Sequence, residues 1–201
     1  MRILTKFVRA CADPQQFPKA DAPEIAFLGR SNVGKSSLIN SLVGSKIAKT
    51  SNTPGRTQTI NFFEVRWPGR PKADLFFADL PGYGYARVPR DLVDEWPKFI
   101  NPYLETRPSL ALCVCLVDAN IPPQKSDTQL VEWLRHVGRP FLIVATKSDR
   151  VGSKLQSSLN AIKKELQVED ILAFSSKTGT GRDALWKKLK EAGEQTEPSE
   201  S

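Results

Sequence analysis

The residues of this chain that are best suited to chemistry lie in one short segment, 29–36, with the sequence GRSNVGKS. The segment fits the phosphate-binding pattern G-x-x-x-x-G-K-[ST] at every fixed position. Glycines let the backbone wrap a phosphate chain, and N–H groups at the following helix N-terminus attract its charge. Lys35 supplies a cation for the terminal phosphates, and the Ser36 hydroxyl suits Mg²⁺. The predicted phosphate loop consists of Gly29, Arg30, Ser31, Asn32, Val33, Gly34, Lys35 and Ser36.

A carboxylate and a glycine follow a second apolar run, at 75–78. We expect Asp79, at the end of this predicted strand, to face the phosphate loop and hold Mg²⁺ through water. Gly82 can bring its backbone N–H to the γ-phosphate of a nucleotide. An ordinary turn is the alternative for these residues taken alone. The predicted contact segment is Asp79, Leu80, Pro81 and Gly82.

A long polar loop ends with the run Gly55, Arg56, Thr57, Gln58 and Thr59. A threonine in such a loop can contact Mg²⁺ and the γ-phosphate together, and Thr57 is the predicted one. Thr53 and Thr59 compete with it, and the sequence does not decide among the three. The predicted metal ligands are therefore Ser36, Thr57 and Asp79.

Two further segments bear on the nucleotide base. The run Thr146, Lys147, Ser148 and Asp149 follows an apolar stretch and resembles the guanine-reading [NT]-K-x-D motif. The Asp149 carboxylate can accept hydrogen bonds from N1–H and the exocyclic amine of guanine, whereas adenine would leave it unpaired. Lys147 can lay its stem along the base. The run Ser175, Ser176 and Lys177 resembles a loop whose backbone N–H contacts guanine O6.

Alternating strands and helices must position these segments. Strands are predicted at 24–29, 59–67, 73–79, 110–118, 140–146 and 171–175, and helices at 35–44, 91–106, 124–137, 153–166 and 181–191. A short turn at 68–71 makes the second and third strands an antiparallel edge pair, while helical crossovers make the others parallel. We therefore predict an α/β P-loop NTPase fold. Its doubly wound, mixed six-stranded sheet is flanked by helices, and its ligand lies at the carboxyl ends of the strands.

A single domain is expected, because 201 residues suit one compact α/β unit. Residues 1–23 are interpreted as an N-terminal leader and connector broken by prolines. Residues 24–191 are predicted to form the nucleotide-binding domain. Residues 192–201 are expected to form a disordered acidic tail.

Composition excludes several classes of protein and suggests a partner. The longest apolar run, at 110–117, is far too short for a membrane helix, and no secretory signal is visible, so a cytoplasmic protein is expected. Three cysteines without a C-x-x-C motif and a single histidine do not make a disulfide framework or a His-rich metal site. The net charge of +7 suggests a polyanionic partner such as RNA. Solubility and nucleotide binding alone are the alternative explanation.

The five motif segments, in this order, are typical of a GTPase of the translation-factor-related class. Four details resemble the EngB (YihA/YsxC) family of bacterial GTPases: Asn32, TPGRTQ at 53–58, NFF at 61–63 and DLPGYGYA at 79–86. The resemblance runs from about residue 5 to 190. It implies GTP binding, slow Mg²⁺-dependent hydrolysis and a role in large ribosomal subunit assembly, with ribosomal RNA or a subunit precursor as partner. It also implies an association with cell division and septation. We expect a monomer without a membrane or DNA partner.

Two positions depart from other GTPases. Thr146 stands where many carry Asn, so that position keeps a hydroxyl but loses an amide. Tyr83 occupies the place of the water-orienting Gln of Ras-like switches, and a phenol beside a phosphate is a poor substitute. We therefore predict slow hydrolysis, and we hypothesise that K⁺ held with the help of Asn32 accelerates it. The catalytic candidates are Asn32, Lys35, Thr57 and Gly82.

Other functions stay open at this point. A small P-loop kinase or ATPase would need an acceptor or lid domain and an adenine site, and the sequence shows neither. A nucleotide-dependent binding module that acts in septation without a ribosomal role is the second alternative. In the leading interpretation, basic loops present charge to RNA in one nucleotide state. These loops, 45–58 and 82–90, carry Lys46, Lys49, Arg56, Arg87 and Arg90.

Overall fold

The computed structural model describes residues 3–19, 21–48, 59–83 and 98–196. The strands are β1 (Leu4–Cys11), β2 (Glu24–Gly29), β3 (Ile60–Arg66), β4 (Leu75–Asp79), β5 (Leu110–Asp118), β6 (Phe141–Thr146) and β7 (Ile171–Ala173). The helices are α1 (Lys35–Val43), α2 (Ile100–Thr106), α3 (Lys125–His136), α4 (Leu155–Leu166) and α5 (Arg182–Thr196). In the described ranges, seven strands form one sheet in the order β1-β3-β4-β2-β5-β6-β7.

Helices cover both faces of this sheet, which explains why its central strands are apolar at almost every position. All six residues of β2 are buried, and eight of the nine in β5. One face packs against α1 and α5, with Leu38 and Trp186 in the contact, and the other against α2, α3 and α4, with Tyr103 and Leu130. Strands buried on both faces lack the alternation of a half-exposed strand.

The predicted mixed, mostly parallel sheet is confirmed. β2 runs parallel to β4 and β5, and β6 runs parallel to β5 and β7. β3 is antiparallel to β4, as the short turn between them predicted. Because the carboxyl ends of parallel strands meet at one edge, Gly29, Asp79, Asp118 and Thr146 end their strands on the same side of the molecule.

The prediction of six strands is wrong, because β1 adds a seventh. β1 pairs antiparallel with β3 on its outer side, so the antiparallel pair β3–β4 does not form the edge of the sheet. The register of β1 shifts between Phe7 and Arg9, where Val8 is the extra residue of a bulge. A bulge breaks the period-two alternation of a strand. For that reason the local pattern of residues 4–11 does not predict a strand.

The end of the last helix also differs from the prediction. α5 continues to Thr196, five residues beyond its predicted end at residue 191 and into the predicted tail. Packing holds this end: Gly193 is buried, and a Cβ built on it would lie 2.8 Å from Cδ2 of Leu75. Residues 197–201, and residues 91–97 of the helix predicted at 91–106, lie outside the described residues. None of the helices in the described part of the chain has the length and apolar character of a membrane span.

Candidate nucleotide site

The phosphate loop leaves β2 at Gly29 and enters α1 at Lys35. Two of its residues have a left-handed backbone, Asn32 at φ +65° and Gly34 at φ +106°. A Cβ built on Gly29 would lie 2.8 Å from Cγ1 of Val33, so glycine is needed where the loop folds back over the end of the strand. The sequence thus forms a turned main chain at a helix N-terminus, which is the arrangement that binds phosphate.

Lys35 and Asp79 form an ion pair between Nζ and Oδ1 beside this loop. The two side chains are 12% and 9% exposed, so the pair is largely withdrawn from water. They meet because β2 and β4 are parallel neighbours, with Phe27 paired to Asp79. The structure therefore brings together two residues that the sequence predicted for one site.

The oxygen donors near this ion pair fit Mg²⁺. Ser36 is half-buried in the first turn of α1, and its hydroxyl and the Asp79 carboxylate are hard donors of the kind Mg²⁺ prefers. No group of three or more His, Cys, Asp or Glu residues that could hold a metal ion occurs in the described ranges. Mg²⁺ does not need one, because one or two protein oxygens usually bind it together with phosphates and water.

Most of the predicted polar loop before β3 lies outside the described residues. Gly55, Arg56, Thr57 and Gln58 lie outside the described residues, so the third predicted metal ligand stays a prediction. Thr59 is described; it is half-buried and directly precedes β3. Lys49, Arg87 and Arg90 also lie outside the described residues.

Gly82 lies directly against the phosphate loop. A Cβ built on it would lie 3.0 Å from Oγ and 3.1 Å from N of Ser31. The next residue continues the contact, because the Ser31 N–H donates to the Tyr83 carbonyl at 2.9 Å and the Tyr83 N–H donates to the Gly29 carbonyl at 3.4 Å. Leu80 and Pro81 are buried beside it. Backbone hydrogen bonds thus fix the segment after Asp79 to the loop.

The expected position of the Tyr83 phenol, beside a phosphate, is wrong. Tyr83 is 2% exposed, and its hydroxyl donates to Oδ1 of Asp127 at 3.0 Å, at the start of α3. Burial, followed by the Asp127 charge, raises the pKa of Tyr83 well above its ordinary value, so the phenol stays protonated as a donor. An apolar ring with one polar group gains more from the core than from the solvated loop. Asp127 was not found from the sequence, because nothing local marks it.

Thr146 connects the guanine motif to the phosphate loop. Its side chain is buried, and its hydroxyl lies 2.6 Å from the Val33 carbonyl oxygen and 3.0 Å from that of Val117. A hydroxyl has one proton, so it donates to one of these carbonyls at a time. The role of Thr146 in this structure is to join β6 to the loop.

Lys147 makes a second connection between the two motifs. Its backbone is left-handed, at φ +57°, and its Nζ donates to the Asn32 carbonyl at 2.9 Å and to Oδ2 of Asp118 at 2.7 Å. Burial raises the pKa of Asp118, but hydrogen bonds from Lys147 and Asn120 outweigh it and lower that pKa below its ordinary value. Asp118 was missed in the sequence; its position at the end of β5, level with Thr146, was the available signal.

Asp149 is exposed at the edge of the site, and Ser175 holds it in place. The Ser175 hydroxyl donates to Oδ1 of Asp149 at 2.6 Å, and this hydrogen bond lowers the pKa of Asp149. Ser175 itself is fully buried and accepts from the backbone N–H groups of Lys177 and Thr178, each at 3.2 Å. The Ser148 N–H donates to the Phe174 carbonyl, which joins the two base-site segments.

The loop after β7 depends on a glycine that was not predicted. Gly181 has φ +79°, and a Cβ built on it would lie 2.0 Å from the Ala173 carbonyl oxygen. Ser176 and Lys177 are exposed in the same loop, beside Asp149 and Ser175. The predicted base-site residues are therefore close together, at the same edge of the sheet as the phosphate loop.

Comparisons with known proteins agree with this geometry. A family model described as "50S ribosome-binding GTPase" matches residues 24–147. The chain is 66% identical over 193 residues to the probable GTP-binding protein EngB of Koribacter versatilis, covering 96% of this chain and 95% of that protein. It is 54% identical over 200 residues to the protein of the same name from Acidobacterium capsulatum, covering 98% and 95%.

Solved structures resemble the fold. A crystal structure of a probable GTP-binding protein engB aligns with a TM-score of 0.68 at 23% identity, covering 86% of this chain and 99% of that one. Era from Aquifex aeolicus, bound to GDP and AlF4⁻, aligns with a TM-score of 0.64 at 22% identity, covering 84% of this chain and 56% of that one. At these identities the likeness concerns the fold alone. With the extensive sequence identity to curated relatives, the phosphate loop and the guanine motif assign this chain to the EngB family of GTP-binding proteins.

Proposed function

We propose that this protein binds GTP and hydrolyses it slowly in a Mg²⁺-dependent reaction, acting as a switch in the assembly of the large ribosomal subunit. The observation that carries the GTPase assignment is the direct connection between the two halves of the site. Thr146 and Lys147 of the guanine motif contact the carbonyls of Val33 and Asn32 in the phosphate loop. A site built in this way holds a base and a phosphate chain at a fixed separation.

The phosphate half supplies charge and main-chain donors. The turned loop and the N-terminus of α1 present N–H groups, and Lys35 provides a mobile cation. Ser36 and Asp79 would hold Mg²⁺, whose charge offsets that of the β- and γ-phosphates. The Lys35–Asp79 ion pair would then exchange its partners, Lys35 turning to phosphate and Asp79 to the metal side of the site. This exchange needs no new charge in the protein.

The base half supplies selectivity. Asp149 is exposed, ionised and oriented by Ser175, so it can accept from two guanine donors. A purine that lacks these donors would leave the carboxylate unpaired. The alternative of a P-loop kinase or ATPase conflicts with this carboxylate.

The decisive experiment is equilibrium binding of GDP, GTP and ATP to the purified protein and to Asp149→Asn. We expect the wild type to prefer GTP over ATP by more than about 100-fold, because a polar site rejects a partner that cannot pair with it. The variant should lose most of this preference and keep its folded stability, since Asp149 is exposed. Glu132→Gln, an exposed carboxylate on α3, is the matched control and should bind like the wild type. A wild type that prefers ATP would contradict the proposal.

Slow hydrolysis is proposed because the position that carries the water-orienting Gln in Ras-like switches does not carry a Gln here. The residue after Gly82 is Tyr83, whose phenol donates into the core instead. Turnover would then depend on a partner or an ion to complete the site. We expect single-turnover hydrolysis by the isolated protein to be slow and to stop when Mg²⁺ is chelated.

The proposed partner is ribosomal RNA in a precursor of the large subunit, and the proposed location is the cytoplasm. The description of the family model and the net charge of +7 support an RNA-rich partner. The exposed side of β1 adds a local observation. Two of the three exposed large apolar side chains in the described ranges, Leu4 and Phe7, lie on this edge strand together with the exposed Lys6 and Arg9. Leu4, Lys6 and Arg9 share one face of the sheet, and Phe7 lies on the other, against the ring of Phe63. Exposed basic and apolar side chains on an edge strand suit the phosphates and unpaired bases of RNA.

Cosedimentation with large-subunit particles tests the partner. We expect the protein to sediment with the particles in a non-hydrolysable GTP analogue and to leave them in GDP. The pair Lys6→Glu and Arg9→Glu should weaken sedimentation, whereas the charge-matched pair Lys154→Glu and Lys164→Glu, both exposed elsewhere, should not. Equal sedimentation in both nucleotides would contradict a switch. Septation is proposed to depend on this role; normal division with Asp79→Asn would favour the binding-module alternative.

A further inference from the structure

Two buried tyrosines donate to buried carboxylates on the same face of the sheet, at its opposite ends. Tyr83 donates to Asp127 at 3.0 Å beside the phosphate loop, and Tyr103 donates to Oε2 of Glu24 at 2.9 Å at the amino ends of the strands. Both rings belong to the cluster that packs against α2, α3 and α4. Only the first pair is attached to the nucleotide site.

Asp127 uses its two oxygens for different elements. Oδ2 accepts from the Gln124 N–H at 2.8 Å and so caps the start of α3, while Oδ1 accepts from Tyr83. The carboxylate is only 4% exposed. The hydrogen bond thus connects the first turn of α3 to the residue that follows Gly82.

Gly82 has no side chain that could hold it against the loop. The next residue, Tyr83, holds this segment in place in two ways. Its backbone is hydrogen-bonded to Gly29 and Ser31, and its phenol is hydrogen-bonded to Asp127 in the core. Arg30, the loop residue bridged to Tyr83, is close enough for its charge to act on both Tyr83 and Asp127. The residues around Tyr83 and Asp127 are therefore closely packed, but one buried donor among them, Arg30 Nε, has no hydrogen-bond partner in the described residues.

We propose that Tyr83 and Asp127 are a positioning pair that holds Gly82 against the phosphate loop and thereby sets the affinity for GTP relative to that for GDP. This inference rests on the proposed GTPase function. GDP needs the loop and the base site, whereas a terminal phosphate also needs the Gly82 segment. The start of α3 is then mechanically connected to recognition of that phosphate.

The test compares Tyr83→Phe with Tyr103→Phe, which removes the same hydroxyl from the same kind of pair away from the site. We measure the affinities for GDP and a non-hydrolysable GTP analogue, kcat and KM for GTP, and the urea midpoint of unfolding. Both variants should lose stability. Tyr83→Phe should also lower the ratio of analogue to GDP affinity by about tenfold and reduce kcat, because one hydrogen bond to a charged group is lost. Tyr103→Phe should leave the ratio and kcat unchanged.

A double-mutant cycle provides the second test. Asp127→Asn keeps the side-chain volume, and if the two residues act as a pair, its effect on the affinity ratio is not additive with that of Tyr83→Phe. A Tyr83→Phe protein with the wild-type ratio and kcat would overturn the inference, as would full additivity. Either result leaves the GTPase assignment intact, provided that the wild type binds GTP. A wild type that fails to bind GTP refutes the proposed function instead.

Discussion

The two ends of the sheet handle buried charge in opposite ways. At the amino ends of the strands, Glu24 is fully buried and accepts from Tyr103 and from the Arg107 guanidinium, which also donates to the Pro18 carbonyl at 2.6 Å. At the carboxyl ends, the largely buried Lys35–Asp79 pair and the more exposed Lys147–Asp118 pair lie beside loops whose backbone is left-handed in places. At the amino ends, protein groups already satisfy the hydrogen bonds of the buried charges. At the carboxyl ends, the paired charged groups can exchange their protein partners for ligand atoms.

This difference separates residues that stabilise the fold from residues that bind nucleotide. Substitutions at the amino ends of the strands should lower the free energy of unfolding and leave nucleotide affinity unchanged. Substitutions at the carboxyl ends should weaken nucleotide binding and leave the free energy of unfolding unchanged. Tyr83 and Thr146 are the informative exceptions, because they are buried and yet contact the phosphate loop.

The largest effect is expected from Glu24→Ala. Removing this carboxylate leaves the Arg107 guanidinium, 12% exposed, without its charge partner. Loss of one partner from such a buried pair costs about 3–5 kcal/mol. Urea unfolding should show this loss, whereas GDP affinity measured on the folded protein should stay at the wild-type value.

The matched control is Glu191→Ala on α5. Glu191 lies 4.0 Å from Lys187 in an exposed pair. Surface pairs of this kind contribute about 0.5 kcal/mol or less. If Glu24→Ala were no more destabilising than this control, or if it weakened GDP binding, the contrast between the two ends would be wrong.

Thr146→Val should give the next largest effect. It sharpens the comparison because Thr146 is both a buried residue that stabilises the fold and a contact of the phosphate loop. The isosteric change removes the donor to the buried Val33 carbonyl and costs about 1–3 kcal/mol. We expect reduced stability together with weaker GDP binding, measured by urea unfolding and by titration. Thr146→Ser should restore both. Thr106→Val, which removes a comparable hydroxyl hydrogen bond at an exposed helix end, should change neither.

A smaller effect is expected from Ser175→Ala on the pH dependence of GDP binding. The Ser175 hydrogen bond lowers the pKa of Asp149 from its ordinary 3.8, so the carboxylate stays ionised to lower pH. The contribution of ionised Asp149 to GDP affinity is present above the ordinary pKa and is lost as the pH falls through the lowered pKa. Without the serine, loss of GDP affinity should begin at higher pH. Superimposable titrations of affinity against pH for both proteins would show that Ser175 does not tune Asp149.

The smallest effect concerns K⁺. Asn32 is exposed on the phosphate loop with a left-handed backbone, and its carbonyl accepts from Lys147. If Asn32 helps hold the ion, GTP turnover should be a few-fold faster in K⁺ than in Na⁺, and Asn32→Ala should abolish the difference. Equal wild-type rates in the two salts would reject the hypothesis.

Much of the fold could be predicted from local pattern. The apolar runs of β2, β5 and β6 and the helical pattern of α3 and α4 are continuous, and their predicted bounds lie within about two residues of the observed ones. β1 was missed because its bulge breaks the alternation, and the end of α5 because its polar composition conceals the packing of Gly193. Both errors come from contacts with residues distant in the chain.

The sequence by itself determined the phosphate loop, the guanine motif and their order along the chain, because glycine, lysine and carboxylate at fixed spacing have few other uses. Only the tertiary structure decided what the connecting side chains do. Tyr83 bonds to Asp127, 44 residues away, and Thr146 to Val33, 113 residues away. A local pattern carries no information on such pairings, since the folding of the sheet and helices, and not the spacing of residues, brings donor and acceptor together.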